Sequence, residues 1–176
     1  MRTLTDHLSM YATYHRDRRN IATHFVGVPM IVVGLLAALA RPTFMVGSVV
    51  ASPAIVLYAV GVLFYLSLDV RFGALMAVIM GIAAGLGVEI AGLSQGLWIG
   101  AAAGLFGVGW VIQFIGHIFE GKKPAFVDDL IGLLVGPLFV TAELVFALGL
   151  RREMLEVIEQ RAGPTRSGRV PRPALS

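Results

Sequence analysis

Apolar positions fall in long runs separated by short polar breaks. Four of them (residues 21–40, 53–68, 72–90 and 97–116) are close to the length that crosses a hydrocarbon layer about 30 Å thick. Backbone groups within such a layer must be satisfied inside the segment, so each run is expected to be a helix. A fifth run, 126–150, has Gly136-Pro137 at its middle. Proline removes a helix hydrogen bond, so the expectation here is a bent or re-entrant pair, 127–135 and 138–150, in preference to a plain fifth span. Residues 3–15 precede the first run and suit a short helix lying at the interface. The predicted fold is therefore all-α: a polytopic membrane helical bundle of four spans, a bent fifth segment and a short N-terminal interfacial helix.

Composition supports this reading. Of the 176 residues, 57% are hydrophobic and 14% charged, with a mean hydropathy of +0.81, far from the soluble mix. The length fits one domain, expected over residues 1–160. Residues 161–176, rich in Pro, Arg, Gly and Ser, are expected to form a flexible basic tail. The first apolar run begins only after a charged stretch and has no cleavage-site pattern, so a removable signal peptide is not expected. The isoelectric point near 9.7 comes largely from the flanks and tail. Those charges suit anionic lipid head groups, and no motif for reading nucleic acid accompanies them.

Lys and Arg favour cytoplasmic loops. Arg2, Arg16, Arg18, Arg19, Arg71, Lys122 and Lys123 fall on one side and Arg41 on the other, which puts the N-terminus inside. Under that orientation the four histidines, His7, His15, His24 and His117, lie at or near one face. Glu120, Asp69, Asp128 and Asp129 join them. Ionisable groups at membrane depth are costly and usually functional. His117 and Glu120 share a helix face, as do Asn20 with His24 and Tyr11 with His15. His15 and His24 are nine residues apart, about half a revolution on one helix, so a common site requires a break, which "HRDRRN" supplies.

Plainer roles exist for several of these residues. Asn20 could cap the first span, Asp128 and Asp129 could complement a helix dipole, Lys122 and Lys123 could anchor to head groups, and His7 is expected on an exposed helix face. The glycines of the third and fourth spans, among them Gly81, Gly85, Gly87, Gly100, Gly104 and Gly107, are expected to let helices approach closely. Without cysteine, a metal would be held by His, Asp, Glu or backbone oxygen. Three histidines and a glutamate suit Fe(II), Zn(II), Cu or Mn. The scarcity of histidine argues against the membrane di-iron hydroxylases, whereas zinc hydrolysis of a lipid amide fits the ligand types equally well.

Two blocks are distinctive: Tyr11, His15, Asn20, His24 and Pro29 in the first, and Trp110, Gln113, Phe114, Gly116 and His117 in the second. Together they resemble the 2-hydroxy fatty acid dioxygenase family, and the resemblance runs over residues 8–150 through Glu120, Lys122, Lys123, Pro124, Ala125, Asp128, Pro137 and Glu143. It implies Fe(II)-dependent α-oxidation, in which a 2-hydroxy fatty acid and dioxygen yield the acid one carbon shorter. His15, His24 and His117 then match iron ligands, with Glu120 a fourth ligand or a partner behind them, and Tyr11, Asn20, Gln113 and Asp128 supporting the site. Glu120 follows His117 by one residue fewer than in yeast-type members, which leaves its role open. Competing readings are a zinc-dependent membrane lipid hydrolase and a non-catalytic transporter or scaffold. The mostly apolar span centres argue against a transport path. The expected setting is a bacterial inner membrane with the site near the cytoplasmic face, or the endoplasmic reticulum in a eukaryote, with self-association left open.

Overall fold

A computed structural model describes residues 2–124 and 131–167. The described chain is almost wholly helical and falls into two units, one of Met1–Phe25 with Ile112–Ser176 and the other of Val26–Val111. In chain order the elements are α1 (Leu4–Ala12), α2 (Arg18–Ala40), β1 (Phe44–Val46), β2 (Val49–Ala51), α3 (Pro53–Leu68), α4 (Val70–Ala91), α5 (Gln95–Glu120), α6 (Gly132–Ala147) and α7 (Arg152–Ala162).

Helices α2, α4 and α5 are each long and apolar enough to cross a membrane, and α6 with α7 forms a further candidate as one bent pair. At 16 residues α3 is shorter than a typical span, and the expected four spans thus become three full-length helices, a short apolar one and the bent pair. The small antiparallel hairpin β1–β2 interrupts the all-α pattern.

In the Val26–Val111 unit, helices meet where a side chain is missing. A Cβ on Gly34 would sit 2.7 Å from the Phe106 amide nitrogen and 2.8 Å from the Ala102 carbonyl oxygen, so backbone of α2 and α5 is in direct contact there. Gly73 likewise brings α4 against Leu66 of α3. Asp69, the single residue between those helices, caps α4 by accepting from the Phe72 N–H at 2.9 Å. Of the glycines expected to pack, Gly81 faces Tyr58 and Gly87 faces Leu36 and Ala37, but Gly85, Gly100, Gly104 and Gly107 have no described neighbour within 4 Å. Outward positions carry large apolar residues such as Leu63, Val70, Ile82 and Leu97, a surface suited to lipid.

In the other unit, α1 begins with a capping box, Thr3 Oγ1 accepting from the Asp6 N–H and Asp6 Oδ2 accepting from the Thr3 N–H. It buries Leu4, Leu8, Tyr11 and Ala12 and packs on α6 and α7. Helix α6 passes straight through Pro137, contrary to the expected break. One lost backbone bond is a small penalty for a helix that buries Val135, Leu138, Phe139 and Ala142. The sharp bend, 119°, comes instead between α6 and α7, where Gly149 and Arg151 take positive φ values of 77° and 53°. Of the expected tail from residue 161, Arg161 and Ala162 continue α7, and the backbone of Arg166 is hydrogen-bonded to Arg16 and Arg18. Residues 168–176 of that tail lie outside the described residues, as do Asp128 and Asp129.

Candidate metal centre

The first histidine is placed by the break between α1 and α2. After Ala12 the chain continues in tight turns, with Tyr14 N–H donating to the Tyr11 carbonyl and His15 N–H to the Ala12 carbonyl. Asp17 then opens α2: its Oδ1 accepts from the Arg19 N–H at 2.9 Å and its carbonyl from the Ile21 N–H. The Arg19 side chain also donates to this carboxylate, which holds Asp17 below the usual carboxylate range. The cap of the first span is therefore Asp17 and not Asn20.

This break turns His15 back toward His24 on α2, and His117 on α5 completes a triad. All three are buried, at 0, 2 and 6% exposure. One ring nitrogen from each lies within 4.8 Å of the others, and among the described residues they form the one group of His, Asp or Glu that could hold a metal ion. The ring of His15 is centred 4.4 Å from that of His24 and 4.9 Å from that of His117, while the His24 and His117 centroids are 5.4 Å apart. Tyr11 stacks flat on His15 at 4.1 Å and rests against Phe139.

Hydrogen bonding decides what these rings present. His15 Nδ1 lies 2.8 Å from the Tyr11 carbonyl, and His24 Nδ1 lies 2.8 Å from the Asn20 carbonyl. A carbonyl only accepts, so both Nδ1 atoms carry the hydrogen, and in the neutral rings both Nε2 atoms are bare lone pairs. Those atoms face each other at 2.9 Å. Two lone pairs at that distance repel unless a cation lies between or beside them. Burial, with His24 and His117 alongside, pushes His15 well below the ordinary imidazole range. A metal ion is the kind of cation that three converging imidazole nitrogens could hold. His117 Nδ1 is buried and has no hydrogen-bond partner among the described residues. The donor set is three neutral nitrogens, suited to Fe(II), Zn(II) or another borderline metal with coordination positions left open.

Glu120 is placed elsewhere. Its Oε2 accepts from the Arg16 N–H at 3.0 Å, the Asp17 N–H at 2.7 Å and Asn20 Nδ2 at 3.2 Å, while its Oε1 accepts from Arg166 Nη2 at 2.9 Å. The carboxylate is thus saturated by the loop that carries His15, and it fixes that loop from α5. Asn20 has a double part, since its carbonyl orients His24 while its side chain ties Tyr14 to Glu120. Arg16, 3% exposed, donates to the His15 carbonyl, to the Gly163 carbonyl and to Glu143. Burial pushes its guanidinium below the usual value, opposed most by Glu143. Arg166 pairs its backbone with the same loop, donating to the Arg16 carbonyl and accepting from the Arg18 N–H.

Gly116 makes this meeting of α2 and α5 possible. A Cβ there would lie 2.5 Å from Asn20 Oδ1 and collide with Thr23. Gln113 is buried, and neither end of its amide has a hydrogen-bond partner among the described residues. Asp128 lies outside the described residues. His7 is buried, not exposed as expected, and stands outside the triad. Lys122 donates to the Thr13 carbonyl at 2.6 Å, a tie to the end of α1 in place of a purely head-group role. Arg16 and Arg166 were not legible as site residues: in sequence they look like membrane-flanking and tail charges, and only the fold brings them to Glu120.

Comparison with known proteins places these residues in context. Residues 1–148 match the family model described as 2-hydroxy-palmitic acid dioxygenase Mpo1-like. The chain is 28% identical over 158 residues to the 2-hydroxy-palmitic acid dioxygenase MPO1 of Saccharomyces cerevisiae, covering 89% of this chain and 87% of that protein. No solved structure matches. With the family model covering both histidine blocks, the chain belongs to the Mpo1-like 2-hydroxy-palmitic acid dioxygenase family.

Proposed function

We propose that this chain is an integral membrane, Fe2+-dependent dioxygenase that performs α-oxidation of 2-hydroxy fatty acids, yielding the acid one carbon shorter. The observation that carries the reading is the pair of bare Nε2 atoms facing each other at 2.9 Å beside a third buried imidazole, in a chain of this family. The metal ligands are His15, His24 and His117, and Glu120 is a positioning residue. Iron held there would supply the binding and activation of dioxygen. The protein's part is preorganisation. The Tyr11 and Asn20 carbonyls hold the protons on Nδ1 of His15 and His24, which keeps each Nε2 free and correctly turned. Burial of all three rings excludes bulk water from the reacting centre.

The C1–C2 bond of the substrate breaks. A 2-hydroxy acid and dioxygen together account for the shorter acid, carbon dioxide and water, so no external reductant is required. The apolar helices would keep the acyl tail among membrane lipids while the polar head enters near the face where α1 meets α2. Positive charge on the N-terminal flank supports a cytoplasmic position for that face, of a bacterial inner membrane in this reading. Anaerobic purification followed by metal quantification and oxygen uptake with 2-hydroxypalmitate tests the proposal. Stoichiometric iron and substrate-dependent oxygen consumption are expected, with both lost in His117→Ala. Stoichiometric zinc with oxygen-independent turnover of a lipid amide would replace this reading with the hydrolase.

A further inference from the structure

Gln113 is 4% exposed, and neither Nε2 nor Oε1 has a hydrogen-bond partner among the described residues. Leaving such groups unmet costs about 1–3 kcal/mol each, so a buried amide with both ends idle among the described residues is poised to receive a further partner. Its position indicates what that is. Gln113 lies four residues before His117 on α5 and shares its face. Going back along α5, Glu120 meets Asn20 of α2, and Gly116 meets Asn20 and Thr23. The two helices therefore run antiparallel here, and Gln113 lies on α5 one turn before Gly116, on the face it shares with His117. Another buried polar atom of this same seam, Asn20 Oδ1, has no hydrogen-bond partner among the described residues. The idle polar atoms thus gather beside the triad.

We propose that Gln113 recognises the 2-hydroxyl group of the substrate, its Oε1 accepting from that hydroxyl while its Nε2 donates to the neighbouring carboxylate. The assignment rests on the triad being the site of 2-hydroxy acid oxidation. The chemistry of the head group selects an amide: a carboxylate only accepts and a hydroxyl can donate, and a primary amide offers a donor and an acceptor side by side without charge. A glutamate at this position would repel the substrate carboxylate, and a lysine would offer the hydroxyl no acceptor. A fatty acid lacking the 2-hydroxyl would leave Oε1 buried and unpaired. Sites that hydrogen-bond a substrate hydroxyl reject the analogue without it for this reason.

The test uses the full-length protein in lipid nanodiscs, loaded with Co2+, whose visible spectrum reports ligand arrival without turnover. Each protein is titrated with 2-hydroxypalmitate and with palmitate. The wild type is expected to prefer the hydroxy acid. Gln113→Leu and Gln113→Met are expected to lower that preference by about tenfold to a hundredfold, with binding of the hydroxy acid weakened more than that of palmitate and Co2+ stoichiometry and affinity unchanged. A Co2+-loaded variant that keeps the wild-type preference overturns the proposal. So does loss of Co2+ in both variants, which would make Gln113 a structural support of the metal centre. If only Gln113→Leu loses the metal, the unbranched Gln113→Met decides. Wild-type protein that holds Co2+ and binds neither acid overturns the reading of the site itself, a different result from failure of Gln113.

Discussion

Glycine is put to one use in two regions that otherwise have little in common. In Val26–Val111, Gly34 and Gly73 let helix backbones touch, and what surrounds them is apolar, with occasional ties such as Trp98 Nε1 donating to the Ala37 carbonyl. In the unit of Met1–Phe25 with Ile112–Ser176, Gly116 lets α5 approach α2, and what it admits is a polar assembly: Asn20, Glu120, Arg16, Arg166 and three imidazoles. Packing without polar groups tolerates small adjustments, because dispersion contacts are many and individually weak. A buried hydrogen-bond network does not, because each partner removed leaves another group desolvated and unpaired. The polar region is therefore where single substitutions should matter most.

The largest effect is expected at Glu120. Its removal in Glu120→Ala strands two backbone N–H groups, the Asn20 amide and the Arg166 guanidinium, a loss of about 3–5 kcal/mol by analogy with broken buried charge pairs. Unfolding in detergent, followed together with Co2+ affinity, should show both falling. Wild-type metal affinity in Glu120→Ala would mean that the His15 loop holds itself. Next is Gly116→Ala, where the added methyl meets Asn20 Oδ1 and Thr23. Overpacking of this kind costs about 1–3 kcal/mol and should weaken metal binding by displacing the His117 turn from α2. The smallest effect, and of opposite sign, belongs to Gly104→Ala. That position has no described neighbour within 4 Å, and alanine is the better helix former by up to about 1 kcal/mol. An equal thermal shift in the two glycine variants would erase the distinction between the regions.

The meeting of three imidazoles was legible before the fold. His15, His24 and His117 stand out because imidazoles are rare in apolar sequence, and the nine-residue spacing of the first two demanded a break that lies between Ala12 and Arg18. Local geometry, three or four residues along a helix, correctly set Tyr11 against His15 and Asn20 against His24, although Tyr11 and Asn20 act on the imidazole nitrogens through their carbonyls. Glu120 resisted such reading. Sharing a face with His117 made it a plausible ligand, yet its oxygens are taken by backbone and side chains about a hundred residues earlier and by Arg166. Pro137 misled for a related reason: a proline's penalty is local and fixed, whereas the packing that outweighs it comes from α1 residues such as Tyr11 on the far side of the sequence.

The sequence by itself determined the helical, lipid-suited character of the chain, its family and the three imidazoles, because apolar run length and rare polar residue types are properties of single segments. Only the tertiary structure decided that two Nε2 lone pairs face each other, that Glu120 secures the loop of His15, that residues up to Arg166 belong to the site and that Gln113 is left with an unanswered amide. Those facts depend on which donors and acceptors from distant segments reach one point, and no local pattern carries that information.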